Sequence, residues 1–490
     1  MKSILPLIIR TFARTTMLAL ALISAPVLAA SWNPDPWLED LAQIQQAMRT
    51  KYANIDWLTK DRGYDLDRAF ARAADRIRSG GSEAEARAAI DRLFVRIADG
   101  HAQVRWPARA SAELPESKAA DSIPKVADAC GIMGYDSSRS SPALGAQLPG
   151  YRPLDGANVT LPAGTITAGG TTLGIIRIGE FDPHMVPALC EGAIAALKFK
   201  PAAPCATDCQ DEIFSTSYAL LTALLEDRVR ALRTAGADVL MIDLADNGGG
   251  SEWAEAAARI VSPVPLKSLR MGFVRGEHWS RFWAGLAKDF ATEAAKSNGA
   301  NRARLSAWAA EAERLRSLAA DPCATTGSCP LVAQGGYSTG LVSSAKAGEL
   351  AAVPLAVHAF SIAQYDYQDS VWSGPLIVLV DDETWSAAEE FAAILQDNQA
   401  AIIIGSRTGG AGCGHTNGGT PTTLKNSKAV LELPDCVRFR ADGSNEVDGV
   451  IPDVLTGLRY RDGMSRKAAL VAAKLPEAIA RAKRLLAKPH

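Results

Sequence analysis

The sequence predicts an α/β fold: a core of buried strands and helices, preceded by a small helical domain and carrying an insertion. Three observations predict it. Leu376 to Val380 is a run of five apolar residues with no polar alternation, the pattern of a strand buried on both faces. A helical pattern follows, with Ala388, Phe391, Ala392 and Leu395 on one face, and then a second apolar run at 401–404. Upstream, residues 238–244 repeat the buried-strand pattern, and Trp37, Leu38, Leu41, Ile44 and Met48 recur at helical spacing. The chain has 490 residues, 48% hydrophobic and 22% charged, enough for two or three globular domains. Its net charge of −2 gives no bulk attraction to nucleic acid or to an anionic membrane.

Residues 1–30 read as a secretory signal peptide. Lys2, Arg10 and Arg14 form a basic lead, and residues 17–28 are apolar but too short for an ordinary spanning helix. Val27-Leu28-Ala29 offers a small-residue cleavage pattern, so the mature chain is expected from about Ala30, in the periplasm or outside the cell, with no integral membrane segment. Export turns eight cysteines into expected disulfides. Cys205 with Cys209 and Cys323 with Cys329 are close enough to pair locally. Cys413 and Cys436 flank a hairpin, and Cys130 with Cys190 remain by elimination. No paired C-x-x-C motif with a nearby histidine supports a metal site.

Residues 31–106 form the expected helical domain. Asp35-Pro36 suits a helix start, a second helix lies around 66–77, and Ser82 with Glu85 makes a capping box for a third. That helix ends at Asp99-Gly100-His101, so His101 projects from a turn. An imidazole there can take a proton near neutral pH; the competing reading is a structural histidine bonded to backbone. Residues 107–170 are rich in Pro, Ser, Ala and Gly and read as a linker.

The core is expected over 171–490. A strand at 173–178 and a helix over 213–234 precede the strand 238–244, which ends at Gly248-Gly249-Gly250. Such glycines let backbone N–H groups face a ligand, and no Gly-Lys-Ser/Thr follows to make a phosphate loop. Residues 263–373 read as an insertion with helices near 279–296 and 302–318. Its Trp279, Phe282 and Trp283 are either helix core or the lining of a substrate cleft. Ser386 sits where a strand hands over to a helix, placed as a nucleophile with the Ala387 N–H ready for an oxyanion. The plainer reading of Ser386 is a helix cap. Strands are expected at 420–424 and 429–433, then a loop carrying Glu446, and a last helix over 465–486 with Ser465 as its cap.

Ser386-Ala387-Ala388-Glu389, Gln396-Asp397-Asn398, Gly405-Ser406-Arg407-Thr408 and Gly410-Ala411-Gly412 together resemble the core of the tail-specific, or C-terminal-processing, serine peptidases, whose relatives include the tricorn protease core. Asp99-Gly100-His101-Ala102, Gly179-Glu180-Phe181 and the segment from Glu446 to Asp453 extend the resemblance over most of the mature chain. It implies a ClpP/crotonase-like core of ββα units, peptide or protein substrates, and hydrolysis through an acyl-enzyme without a cofactor. The lysine of the Ser-Lys branch falls on Ala411, so the chain resembles the tricorn-core branch more. That implies a triad of Ser386, His101 and Glu446, with an oxyanion hole from Ala387 and Gly249, or Gly249's neighbours Gly248 and Gly250. His415 is the alternative base. Many tail-specific relatives carry a PDZ domain, which 107–170 is short for; a degenerate or missing one is expected. Retinoid-binding repeats also resemble this core, so a non-catalytic binding or scaffold role is the main alternative. A crotonase-type coenzyme A enzyme shares the layout, but export argues against an intracellular cofactor.

Overall fold

A computed structural model of the chain describes residues 32–107, 123–137, 143–154, 160–321, 329–415 and 419–488. The signal-peptide expectation at 1–30 and the Cys323–Cys329 pairing lie outside the described residues. The other three disulfides are present as expected: Cys130–Cys190, Cys205–Cys209 and Cys413–Cys436.

The strands are β1 (Gln103–Arg105), β2 (Arg152–Pro153), β3 (Ala163–Ala168), β4 (Thr171–Arg177), β5 (Val239–Asp243), β6 (Arg270–Val274), β7 (Val332–Tyr337), β8 (Leu376–Val380), β9 (Ile402–Gly405), β10 (Thr422–Thr423), β11 (Val430–Glu432), β12 (Cys436–Phe439) and β13 (Val454–Leu455). Seven of them form the main sheet, in the order β13-β9-β8-β5-β4-β3-β2. From β4 through β13 the pairing is parallel, while β2, β3 and β4 run antiparallel. Every residue of β5 and β8 is buried, as their unbroken apolar runs require when helices cover both faces. One face carries the helices Thr207–Thr234, Trp253–Val261 and Ala387–Asp397, through side chains such as Leu225, Trp253 and Phe391 against Ile242 and Val378. The other face carries Met464–Leu486, whose Val471 and Leu475 meet Met241 and Ile377.

Three expectations about organisation change. The interval 107–170 supplies β2 and β3 to the main sheet, so the core begins before residue 171. The insertion is not an appendage: β6 and β7 join β12 in a second sheet of order β12-β6-β7. The helical domain is not separate either. β1 pairs antiparallel with β11, and Ile90, Leu93 and Phe94 share an apolar cluster with Leu424, Leu431 and Val447. At the helix ends, the Ser82 hydroxyl accepts the Glu85 N–H at 3.3 Å, the expected cap. The last helix starts at Met464 with Gly463 as its cap, so Ser465 lies inside it.

Candidate active site

Ser386 follows β8 across a short turn and opens the helix Ala387–Asp397. Its backbone sits at φ +54° and ψ −118°, a region an L-residue occupies only when its surroundings hold it there. Those surroundings are visible. The Trp385 N–H donates to the Asn247 carbonyl at 2.9 Å, and the Thr384 hydroxyl to the Leu244 carbonyl at 3.0 Å, tying the turn to the loop after β5. Glu389 does more than cap the helix. Its carboxylate accepts the N–H groups of Ser386 at 2.9 Å and of Gly410 and Ala411 at 2.7 Å each, and the Thr408 hydroxyl at 2.6 Å. Burial pushes its carboxyl up, and these four donors oppose that by holding the anion.

The glycine loop runs against this turn. At Gly249, φ is +114°, and a Cβ would fall 2.8 Å from the Ser386 Cβ and 3.1 Å from the Ala387 nitrogen, so only glycine fits. Its own N–H, however, is donated to the Asn247 side-chain oxygen at 2.8 Å. The glycine that lines the cavity with Ser386 is Gly248. The expected oxyanion donor Gly249 therefore keeps the loop close, and Gly248 is the one left facing the space.

His101 arrives from the helical domain. Ala98 ends the helix Glu83–Ile97 in the left-handed region, at φ +54°. Asp99 then accepts the His101 N–H at 3.0 Å through one oxygen, and the Tyr52 hydroxyl at 2.8 Å and Asn54 amide at 2.9 Å through the other. A Cβ at Gly100 would stand 2.3 Å from the Trp385 ring, and one at Gly409 2.5 Å from it. The histidine turn thus presses against the residue next to Ser386. A cavity of about 300 Å³ results, lined by Gly100, His101, Asp246, Gly248, Glu383, Trp385, Ser386 and Ala411. The His101 Nδ1 lies 2.6 Å from the Ala411 carbonyl oxygen, which can only accept. Nδ1 therefore carries the proton, and Nε2 is left as a neutral acceptor. Burial holds the imidazole below its ordinary pKa, against the opposing pull of the Ala411 carbonyl and Asp99.

Glu446 is placed differently from the expectation. It is fully buried, and both its oxygens bond Arg438: Oε2 from Nε, and Oε1 from Nη2 at 3.2 Å. The nitrogen that an orienting carboxylate would take is held by Ala411. Arg438 was not foreseen from the sequence. It also donates to Glu390 at 2.8 Å and to the carbonyls of Gly412 at 2.8 Å and Ser386 at 3.3 Å. The signal was there to read: a lone arginine inside a short strand of Cys, Val and Phe. Burial pushes the Glu446 carboxyl up to about 7, with Arg438 pulling the other way.

His415 does not line the Ser386 cavity. Its Nε2 lies 3.1 Å from the His101 carbonyl, and its ring belongs to a neighbouring cavity of about 400 Å³. Trp279 and Trp283 are core residues, 1% exposed, yet with Phe282 they also wall that second cavity. Among the described residues no group of three or more His, Cys, Asp or Glu side chains is arranged to hold a metal ion, and no helix is long and apolar enough to cross a membrane.

The model of peptidase family S41 matches residues 213–456, which include Ser386 and the glycine loop but not His101. No curated protein matches the sequence. Among solved structures, mature CPAF is similar over 92% of this chain and 98% of its own, at 15% identity and a TM-score of 0.56. Mature CPAF complexed with lactacystin covers 92% and 99% at 15% identity, with a TM-score of 0.55. The photosystem II D1 C-terminal processing protease covers 86% and 92% at 14% identity, with a TM-score of 0.34. The fold is that of S41 peptidase structures.

Proposed function

We propose that in this serine-type peptidase Ser386 is the nucleophile and His101 the base, acting on peptides or proteins outside the cytoplasm. The observation that carries the assignment is the shared cavity. Two residues far apart in sequence line one space, with the His101 tautomer set so that Nε2 can accept a proton. His101 Nε2 takes the Ser386 hydroxyl proton as Oγ attacks the peptide carbonyl carbon. The N–H groups of Ala387 and Gly248 hold the tetrahedral oxyanion. The imidazolium returns its proton to the leaving amine, the C–N bond breaks, and an acyl-enzyme remains. Water, deprotonated by His101, then attacks the ester and releases the new carboxylate and Ser386.

Glu446 enters this scheme through Arg438. It neutralises the guanidinium that braces the Ser386 and Gly412 carbonyls, and so acts as a positioning residue. The role normally filled by a carboxylate on the imidazole falls to the Ala411 carbonyl. Disulfides support an exported location for the mature chain. The test is Ser386→Ala: peptide hydrolysis should fall at least about 10³-fold with the fold intact. Unchanged hydrolysis would dismiss the assignment. A serine-directed phosphonate should add its mass at Ser386; folded protein that takes no label would instead favour a binding role.

A further inference from the structure

Asp99 is buried two residues before His101, and the scheme above gives its carboxylate no part. Its Oδ1 accepts the His101 N–H at 3.0 Å, and its Oδ2 accepts the Tyr52 hydroxyl at 2.8 Å and the Asn54 amide at 2.9 Å. All three donors are neutral. A peptide N–H and an amide NH2 can only donate, so an ionised carboxylate satisfies the whole set. A protonated one would need an acceptor, and of the three only the Tyr52 hydroxyl could serve. Burial pushes the Asp99 carboxyl up, and these donors, with His101, oppose that by favouring the anion.

The groups that hold Asp99 are themselves held. Asn54 is buried, and its Oδ1 accepts the Asn445 amide at 2.8 Å. The Asn445 Oδ1 in turn accepts the Val447 N–H at 3.0 Å. That N–H can only donate, which fixes the orientation of both amides: each accepts from behind and donates toward Asp99. The row starts in the loop that carries Glu446 and ends on the carboxylate. Tyr52, at the end of the helix Asp35–Lys51, closes the other side and is fully buried.

The charges around His101 act in opposite directions. Burial disfavours an imidazolium most, and Arg438 and His415 act the same way; the Ala411 carbonyl and Asp99 oppose them. Glu446 and Glu390 are engaged by Arg438, while Asp246 and Glu383 line the cavity with His101. The Ala411 carbonyl sets the tautomer but brings no full charge.

We infer that Asp99 is the anion that works with this histidine: it positions His101 through the backbone N–H and stabilises the imidazolium formed as Ser386 attacks, with Asn54 and Asn445 holding it in place. No proton moves to it, because its Oδ1 faces the peptide N–H and the Nδ1 proton stays on the Ala411 carbonyl. The orienting and charge-bearing parts that one carboxylate plays in a Ser-His-acid triad are divided between Ala411 and Asp99. This rests on the Ser386–His101 reading above for its kinetic consequence, but not for its effect on the imidazole.

The titration of the His101 ring tests that effect whether or not the enzyme turns over. In the Ser386→Ala protein, with the ring signal assigned by its loss in His101→Gln, proton NMR should show the His101 pKa lowered by at least about half a unit in Asp99→Asn. With Ser386 intact, the same change should lower kcat at least about tenfold, shift the acid limb of kcat/KM down by a matching amount and leave KM within about threefold. Asp99→Asn alone sets one amide against the Asn54 amide. Combined with Asn54→Asp, it matches donor to acceptor again and moves the charge to the far side of residue 99. The double variant should recover the urea midpoint of the wild type, with a His101 pKa between those of the wild type and the single variant. A His101 pKa that stays unchanged in both variants, or a kcat that returns fully with the urea midpoint, overturns the proposal and leaves Asp99 to the fold alone. A lowered pKa in a protein that hydrolyses no peptide retains the hold of Asp99 on the imidazole and removes the catalytic assignment instead.

Discussion

Ala411 lines the Ser386 cavity, and its backbone is used twice. Its N–H is held by Glu389 and its carbonyl receives His101 Nδ1–H, so one residue links the helix that Ser386 opens to His101. A carbonyl fixes the tautomer as a carboxylate would, but carries no full charge to stabilise the imidazolium. Burial dominates at His101 and lowers its pKa below the ordinary histidine value of about 6.5. In the proposed mechanism the neutral form is the base, so kcat/KM should fall as pH drops through that lowered value. The acid limb should have its midpoint below about 6.5. A midpoint above it would mean that a carboxylate faces the ring. The linkage runs the same way for stability. The unfolded chain binds this proton more readily, so the folded state weakens as pH falls from the ordinary histidine range through the lowered value. That Ser386 opens a helix and that His101 follows the end of one were legible, because helix starts and stops each have a local signature. The partner of Nδ1 was not, since any residue has a carbonyl and only the fold chooses which one arrives. Gly249 shows the same limit: the glycines announced a close approach, but not which N–H is used up by Asn247.

At the scale of elements, the central strands could be read almost to the residue. β8 and β5 are continuous apolar runs, and nothing competes with burial on both faces for them. The strands β2 and β3 at one end of the main sheet were passed over because Pro, Gly and Ala dilute their pattern, and their pairing depends on a partner further along the chain. β12 was missed for a different reason. It carries Arg438 inward, where its charge is met by Glu446 and Glu390 rather than by water. Such a network is costly to break from one side. Arg438→Met leaves two carboxylates buried without a cation and should cost about 3–5 kcal/mol in urea unfolding. Adding Glu446→Gln removes one of those charges, so the double variant should be less destabilised than the sum of the two single losses. Simple additivity would show that Glu446 and Arg438 do not act as a pair, and the positioning role given to Glu446 would go with it.

Across the whole molecule, the helical part brings His101 and the α/β core brings Ser386 to one cavity. They meet across a docking surface that includes the β1–β11 pairing and the packing of Leu431 with Ile90, Leu93 and Phe94. Little in the sequence showed this surface, because residues 429–433 read as an ordinary strand with no named partner. Leu431 is 1% exposed, so Leu431→Asp places an unpaired carboxylate inside the seam. The main sheet, with its own apolar clusters on both faces, has no stake in that contact. The wild type should therefore melt in one transition, with activity lost at the same temperature. The variant should show an earlier transition in which the helical part separates and peptide hydrolysis disappears, while the sheet signal in circular dichroism persists to a higher temperature. Hydrolysis that survives the earlier transition would mean that the core carries its own base. His101 would then be a structural histidine at the end of a helix, held by Asp99 and Ala411 for packing alone.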